Sequence, residues 1–127
     1  MTGGDRRIRY FFRKENRVLR RADFLEAYAK GVRHRFPMGQ VFILPREHPG
    51  QPTRLGLTAS RKVGGAVVRN RLRRLAREAF RTALPSLRPG HTIVVNFYQS
   101  AAGTDFAPLR DQLHKVWRKA GLWKPEP

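Results

Sequence analysis

The chain has 127 residues, with 27 Lys and Arg against 9 Asp and Glu, for a formal charge of +18 with histidine neutral. A content of 40% hydrophobic and 10% aromatic residues predicts a folded domain with a core, not a disordered polybasic tail. The absence of cysteine excludes disulfides, thiolate catalysis and Cys-based zinc sites, and no apolar run approaches the roughly 20 residues of a membrane span.

The excess charge is clustered. Residues 1–35 carry 11 basic and 4 acidic groups and residues 61–83 carry 8 basic and 1 acidic, so each block is +7, whereas residues 36–60 are only +1 and residues 84–127 only +3. Two blocks of one sign on so small a body point to two docking surfaces for a polyanion, nucleic acid foremost. A cytoplasmic protein with no membrane partner is the expectation, since no broad apolar face opposes the charge.

Residues 1–15, with Gly3, Gly4 and several Arg, read as a flexible basic arm. Residues 22–30 place Phe24 and Tyr28 four apart with Leu25 and Ala29 alongside. Asp23 and Glu26 resemble a capping box, so a short helix ending at Gly31 is predicted. Gln40 to Leu44 reads as a strand stopped by Pro45, Pro45 to Pro52 as a loop, and Arg54 to Ser60 as a second strand.

A Gly64-Gly65 turn then leads into Ala66 to Ala83, where Val68, Leu72, Leu75, Ala76, Ala79 and Ala83 occupy an arc of about 100° and arginines fill most of the rest. Six of the thirteen residues from Arg69 to Arg81 are Arg, opposed only by Glu78. That face extends roughly 18 Å at 1.5 Å per residue, enough to meet several phosphates with planar, two-pronged donors. A merely solvated face would more often mix Glu with Lys. The turn brings Arg61 and Lys62 near the positive end of the helix, where an anion could be held, although a plain strand-to-helix connection has the same sequence.

Leu84 to Gly90 is a second loop, Thr92 to Tyr98 a third strand, and a last helix starts near Thr104 or Asp105. It carries Leu109, Leu113, Val116 and Ala120 on one side and closes at Gly121, before a loose tail over residues 122–127. The order from residues alone is αββαβα, with short extra strands possible. Trp117 and Trp123 read as packing residues. His34, His48, His91 and His114 share no spacing suited to metal ligation or acid–base work, and no acidic pair has two-metal spacing, so no protein-borne catalytic or metal site is assigned.

The segment RLGLTASRKVGGAVVRNRLRRLAREAFR, Arg54 to Arg81, resembles the signature of the bacterial ribonuclease P protein, the small subunit of the ribozyme that matures tRNA 5′ ends. The resemblance extends to NRVLRRADFLEAYAKG, Asn16 to Gly31, and to HTIVVNFY with the helix after it. It implies an α+β fold, a two-layer α/β sandwich of αβββαβα topology with a left-handed βαβ crossover, in one domain over residues 16–121.

It also implies that the RNA subunit, holding Mg²⁺, performs the cleavage, with ribonuclease P RNA and precursor tRNA as partners and no protein partner required. Carried over by position, Arg69, Asn70, Arg71, Arg73, Arg74 and Arg77 would bind the catalytic RNA. Phe24, Tyr28, Phe42, Leu44, Thr58, Arg61 and Lys62 would line a groove for the single-stranded 5′ leader. Leu44 stands where the family often has an aromatic and Gly65 where it often has Asn. By spacing alone Phe24, Tyr28, Phe42 and Leu44 could equally be core. A structural RNA-binding protein such as a ribosomal protein would share the basic helix without the groove, and a helix-turn-helix reader would want two adjoining helices where strands flank this one.

Overall fold

A computed structural model describes residues 14–18 and 20–125. The expected basic arm lies mostly outside these residues. Helix α1 spans Arg21–Lys30, strands β1, β2 and β3 span Val32–Phe36, Gly39–Pro45 and Arg54–Ala59, helix α2 spans Ala66–Ala83, strand β4 spans His91–Phe97 and helix α3 spans Phe106–Lys119. The four strands form one sheet in the order β1-β2-β4-β3, antiparallel except for the parallel pair of β3 and β4 that α2 connects. The αβββαβα order expected from the resemblance is therefore the order observed.

Strand β1 escaped the reading from residues alone because Val-Arg-His-Arg-Phe has only two apolar residues, Val32 and Phe36, at its ends. As a charged edge strand it exposes Val32, Arg33 and Arg35, and charge on an edge opposes pairing with other chains. The other edge is β3.

Alternation along β2 and β4 divides the core. Val41, Ile43, Ile93 and Val95 point to one face, where they bury against Leu72, Ala76, Ala79, Phe80 and Ala83 of α2 and Leu109, Leu113 and Trp117 of α3. This is the two-layer sandwich. Phe42 and Val94 point to the opposite face, which α1 partly covers with Phe24, Ala27 and Tyr28. Phe80 was absent from the predicted apolar arc although it continues the four-residue spacing of Leu72 and Ala76, and it is fully buried.

Two local expectations are corrected. Asp23 does not cap α1: the helix starts after Arg20 without a side-chain cap, and the Asp23 carboxylate instead pairs with Arg54 at 3.4 Å and Arg20 at 3.9 Å. Because the helix begins at Arg21, two residues before Asp23, Asp23 lies inside the first turn and not at the N-cap. The tail is not loose from residue 122 onward. Leu122 is buried, its carbonyl accepts from Arg88 N–H at 2.7 Å, and Lys124 N–H donates to the Ser86 carbonyl at 2.7 Å. Residues 126 and 127 lie outside the described residues.

His114 on α3 packs between the Trp117 and Trp123 rings, at 5.7 and 5.1 Å between centroids, and its Nε2–H donates to the Ala79 carbonyl at 3.0 Å. Burial pushes its pKa below the ordinary histidine value. The Ala79 bond and Asp111 oppose that shift, while Arg118 and Arg110 reinforce it. Because the unfolded chain takes up this proton first as pH falls, the stability His114 contributes is present above about pH 6.5 and declines below it. Thermal melting should show a lower midpoint at pH 5.5 than at pH 7.5, with a smaller drop for His114→Gln. An equal drop in both would remove His114 from the account.

Candidate RNA-binding surfaces

The face of the sheet under α1 is set by register. Leu44, Thr92 and Arg54 lie abreast at one end, Phe42, Val94 and Gly56 in the middle, and Gln40, Asn96 and Thr58 at the other end. In the middle, the Tyr28 ring meets Phe42 edge-on, with centroids 5.1 Å apart and planes at 73°. Phe42 is buried, so it supports the groove, whereas Phe24 and Tyr28 are half-buried and keep surface for a ligand. Phe24 lies directly over Gly56: a Cβ there would fall 2.7 Å from Phe24 Cε1, so only glycine admits the ring.

At the Leu44 end, Arg54 Nε donates to Thr92 Oγ1 at 2.8 Å. Leu44, Arg20, Arg46 and Arg54 border a hollow of about 470 Å³. Burial, and then Arg54, lower the Arg46 pKa against the pull of Asp23. At the opposite end the Asn96 amide ties α1 to the sheet, its Nδ2 donating to Tyr28 Oη at 3.0 Å and to Thr58 Oγ1. Arg61 and Lys62 follow β3 in an exposed turn ending at Gly64, whose φ of +156° lets the chain enter α2 against Val68.

The second surface is the arginine face of α2, whose members differ in what they already hold. Arg74 and Arg77 are exposed. Arg69 is half-buried and its Nε has no hydrogen-bond partner among the described residues. Arg73 Nη1 donates to Asn70 Oδ1 at 3.0 Å. Arg71 is engaged across the fold, Nη1 donating to the Thr104 carbonyl at 2.5 Å and Nη2 standing 3.8 Å from Asp105, which ties α2 to the start of α3. Arg81 is held by Glu78 at 2.9 Å, and this hydrogen bond keeps the Glu78 carboxyl below the usual carboxylate range.

The two surfaces meet at the edge of β3, where Val18 N–H donates to the Leu55 carbonyl at 3.0 Å. Arg17, Arg73 and Arg77 border a hollow of about 200 Å³ together with Phe24, Gly56 and Leu57. Burial, and then the charges of Arg17 and Arg73, lower the Arg77 pKa. Arg17 and Arg73 thus stand close enough to Arg77 for their charges to act on it.

Of the residues expected to line a groove, Phe24, Tyr28, Phe42, Leu44 and Thr58 lie together on this face of the sheet or on the helix above it. Arg61 and Lys62 lie beyond its Thr58 end. The sequence reading missed Arg17, Gln40, Arg54, Gly56, Thr92, Asn96 and Tyr98. Extending the alternation of Phe42 and Leu44 back to Gln40, and applying it to Thr92, Val94 and Asn96, would have found four positions on this face.

Residues 12–121 match the family model described as Ribonuclease P. The ribonuclease P protein component of Symbiobacterium thermophilum is 39% identical over 114 residues, covering 90% of this chain and 98% of that one. That of Desulfovibrio desulfuricans is 38% identical over 120 residues, covering 92% of each. Among solved structures, the Staphylococcus aureus RNase P protein superposes with a TM-score of 0.78 at 28% identity, covering 87% of this chain and 100% of that one. The Thermotoga maritima RNase P protein gives 0.73 at 28% identity, covering 81% and 96%.

Proposed function

The chain belongs to the ribonuclease P protein family, and from that premise we propose that its two surfaces divide the work between catalytic RNA and substrate. As a family member it is the protein subunit of a ribonucleoprotein endoribonuclease that processes tRNA 5′ ends, and it associates with ribonuclease P RNA. The catalytic RNA docks on Arg69, Asn70, Arg71, Arg73, Arg74 and Arg77. The 5′ leader of precursor tRNA runs through the groove of Phe24, Tyr28, Phe42, Leu44 and Thr58, with Arg61 and Lys62 receiving its phosphates.

The observation that carries this reading is the pair of half-buried rings, Phe24 and Tyr28, held over an otherwise closed sheet face with hollows opening at either end. A core would have sealed those ends. Unstacked bases can lie on the rings without a sequence requirement, and the cations beside them take the backbone charge. At the β3 edge, Arg73 and Arg77 border both the groove and the helix surface, so leader and catalytic RNA approach each other there.

In this scheme the protein's residues bind and orient, and bond cleavage belongs to the RNA and the Mg²⁺ it holds. Among the described residues no group of three or more His, Asp or Glu is placed to hold a metal ion, and no step is assigned to one on this chain. Residues 16–121 would act as one RNA-binding domain in the cytoplasm; no helix among the described residues is long and apolar enough to cross a membrane.

Reconstitution with ribonuclease P RNA tests the scheme. Phe24→Ala and Tyr28→Ala should each lose about 1–3 kcal/mol of affinity for precursor tRNA, the worth of one base stacked on an aromatic ring. Their affinity for mature tRNA should stay unchanged. Equal losses on both substrates would show that these rings only hold the fold together.

A further inference from the structure

We propose that the free edge of β1, with the hollow beside it under α3, docks an extended acidic segment of a partner protein as an added strand. This surface takes no part in the leader scheme. In the sheet order β1-β2-β4-β3, β1 is paired on one side only among the described residues, so Val32–Phe36 present main-chain N–H and C=O groups outward. The edge of β3, by contrast, is met by Arg17 and Val18. An unpaired strand edge selects another extended polypeptide, because only a second main chain repeats donors and acceptors at the matching spacing. RNA has no such repeat.

Charge around the edge sets the sign of the partner. Strand β1 contributes Arg33 and Arg35 and no acid, and Lys115 and Lys119 stand exposed one turn apart on α3. None of these four has an ion-pair partner among the described residues. Asp111, the one acid of α3, is held by Arg110 at 2.9 Å. A second copy of β1 would set arginine against arginine, whereas an acidic strand would meet four cations.

Beside the Phe36 end of the strand lies a hollow of about 350 Å³, lined by Arg35, Lys115 and Lys119 together with Phe36, Pro37 and Val116. Phe36 and Val116 are buried, so they offer an apolar wall and not an open ring on which a base could stack. Gln112 lines the same hollow, and its Oε1 has no hydrogen-bond partner among the described residues. A peptide group brings both a donor and an acceptor to such an amide. Because side chains alternate along a strand, the matching segment carries aliphatic residues at every second position, toward the hollow, and acidic residues between them.

The test uses the full chain, free and saturated with ribonuclease P RNA, and a capped, fluorescein-labelled peptide of alternating Glu and Val long enough to pair with all of β1. Binding should slow amide hydrogen exchange across Val32–Phe36 in both forms. Lys115→Glu with Lys119→Glu, two exposed positions, should weaken peptide binding on the order of ten-fold and leave affinity for ribonuclease P RNA unchanged. Replacing Val by Ser in the peptide should cost about ten-fold, the worth of one buried aliphatic side chain.

Absence of binding, or binding that leaves exchange in β1 unaltered, would overturn the proposal. So would a peptide affinity indifferent to the lysine reversal or to the loss of Val, which would reduce it to unspecific attraction. A fall in RNA affinity with a shallower salt dependence in the lysine variant would assign this face to RNA and overturn it as well. None of these outcomes bears on leader binding, which precursor and mature tRNA compare directly.

Discussion

Replacing Arg69, Arg73 and Arg74 together by alanine is expected to weaken binding to ribonuclease P RNA by on the order of 100-fold near physiological salt. The same change should make the dependence of log affinity on log salt shallower by about 2 to 3, because each lost phosphate contact returns about 0.7 to 0.9 of a released counterion. These three are chosen because among the described residues none of them is hydrogen-bonded to another element: Arg74 is exposed and Arg73 bonds within α2, to Asn70. Arg71 would be a poor choice, since its bond to the Thr104 carbonyl anchors α3 and its loss would confound stability with binding. Arg81, already paired with Glu78, serves as the comparison whose removal should leave the salt slope almost unaltered. Titrations of RNA binding at several salt concentrations decide the matter, and an unchanged slope in the triple variant would remove the arginine face of α2 from the RNA contact.

Trp117→Ala should be the most damaging single change to the fold, at about 3–5 kcal/mol. The side chain is fully buried, meets Phe80 edge-on at 6.1 Å and packs beside His114, so truncation leaves a large hole where α2 and α3 meet. Trp117→Phe should cost distinctly less. The indole Nε1–H is buried with no hydrogen-bond partner among the described residues, and a buried donor left unpaired costs about 1–3 kcal/mol, so phenylalanine loses area but also relieves that penalty. Urea denaturation of the three proteins measures both differences. If Phe and Ala prove equally destabilising, the indole nitrogen is not the liability described.

Helix α2 was the most legible element in the sequence, because an apolar arc and an arginine arc on the same eighteen residues leave one way to orient it. Helix α3 was nearly as plain from Leu109, Leu113 and Val116. Strand β1 was not legible from its residues, since it buries only Phe36 and exposes Val32, Arg33 and Arg35, which leaves too short an apolar signature to mark a strand. Nor was the tail, whose docking depends on main-chain bonds to residues 86 and 88 that no side-chain pattern encodes.

The groove was half legible. Phe24, Tyr28, Phe42 and Leu44 stood out as apolar spacings, yet whether Phe42 faced α1 or the main core depended on which sheet face α1 would cover, and strand alternation is silent on that. Gly56 and Asn96 went unnoticed for a different reason. One matters by what it lacks, and the other by bonds to residues 38 and 68 positions away in sequence.

The convergence of Arg17, Arg73 and Arg77 ties together two quantities usually measured apart. An anion that binds beside Arg73 and Arg77 in the folded chain and not in the unfolded one stabilises the fold as it fills the site, so occupancy and conformational stability at the β3 edge are linked by mass action. The isolated polypeptide is therefore an incomplete thermodynamic object. Its melting temperature describes the chain together with whatever counter-ions the solvent supplies.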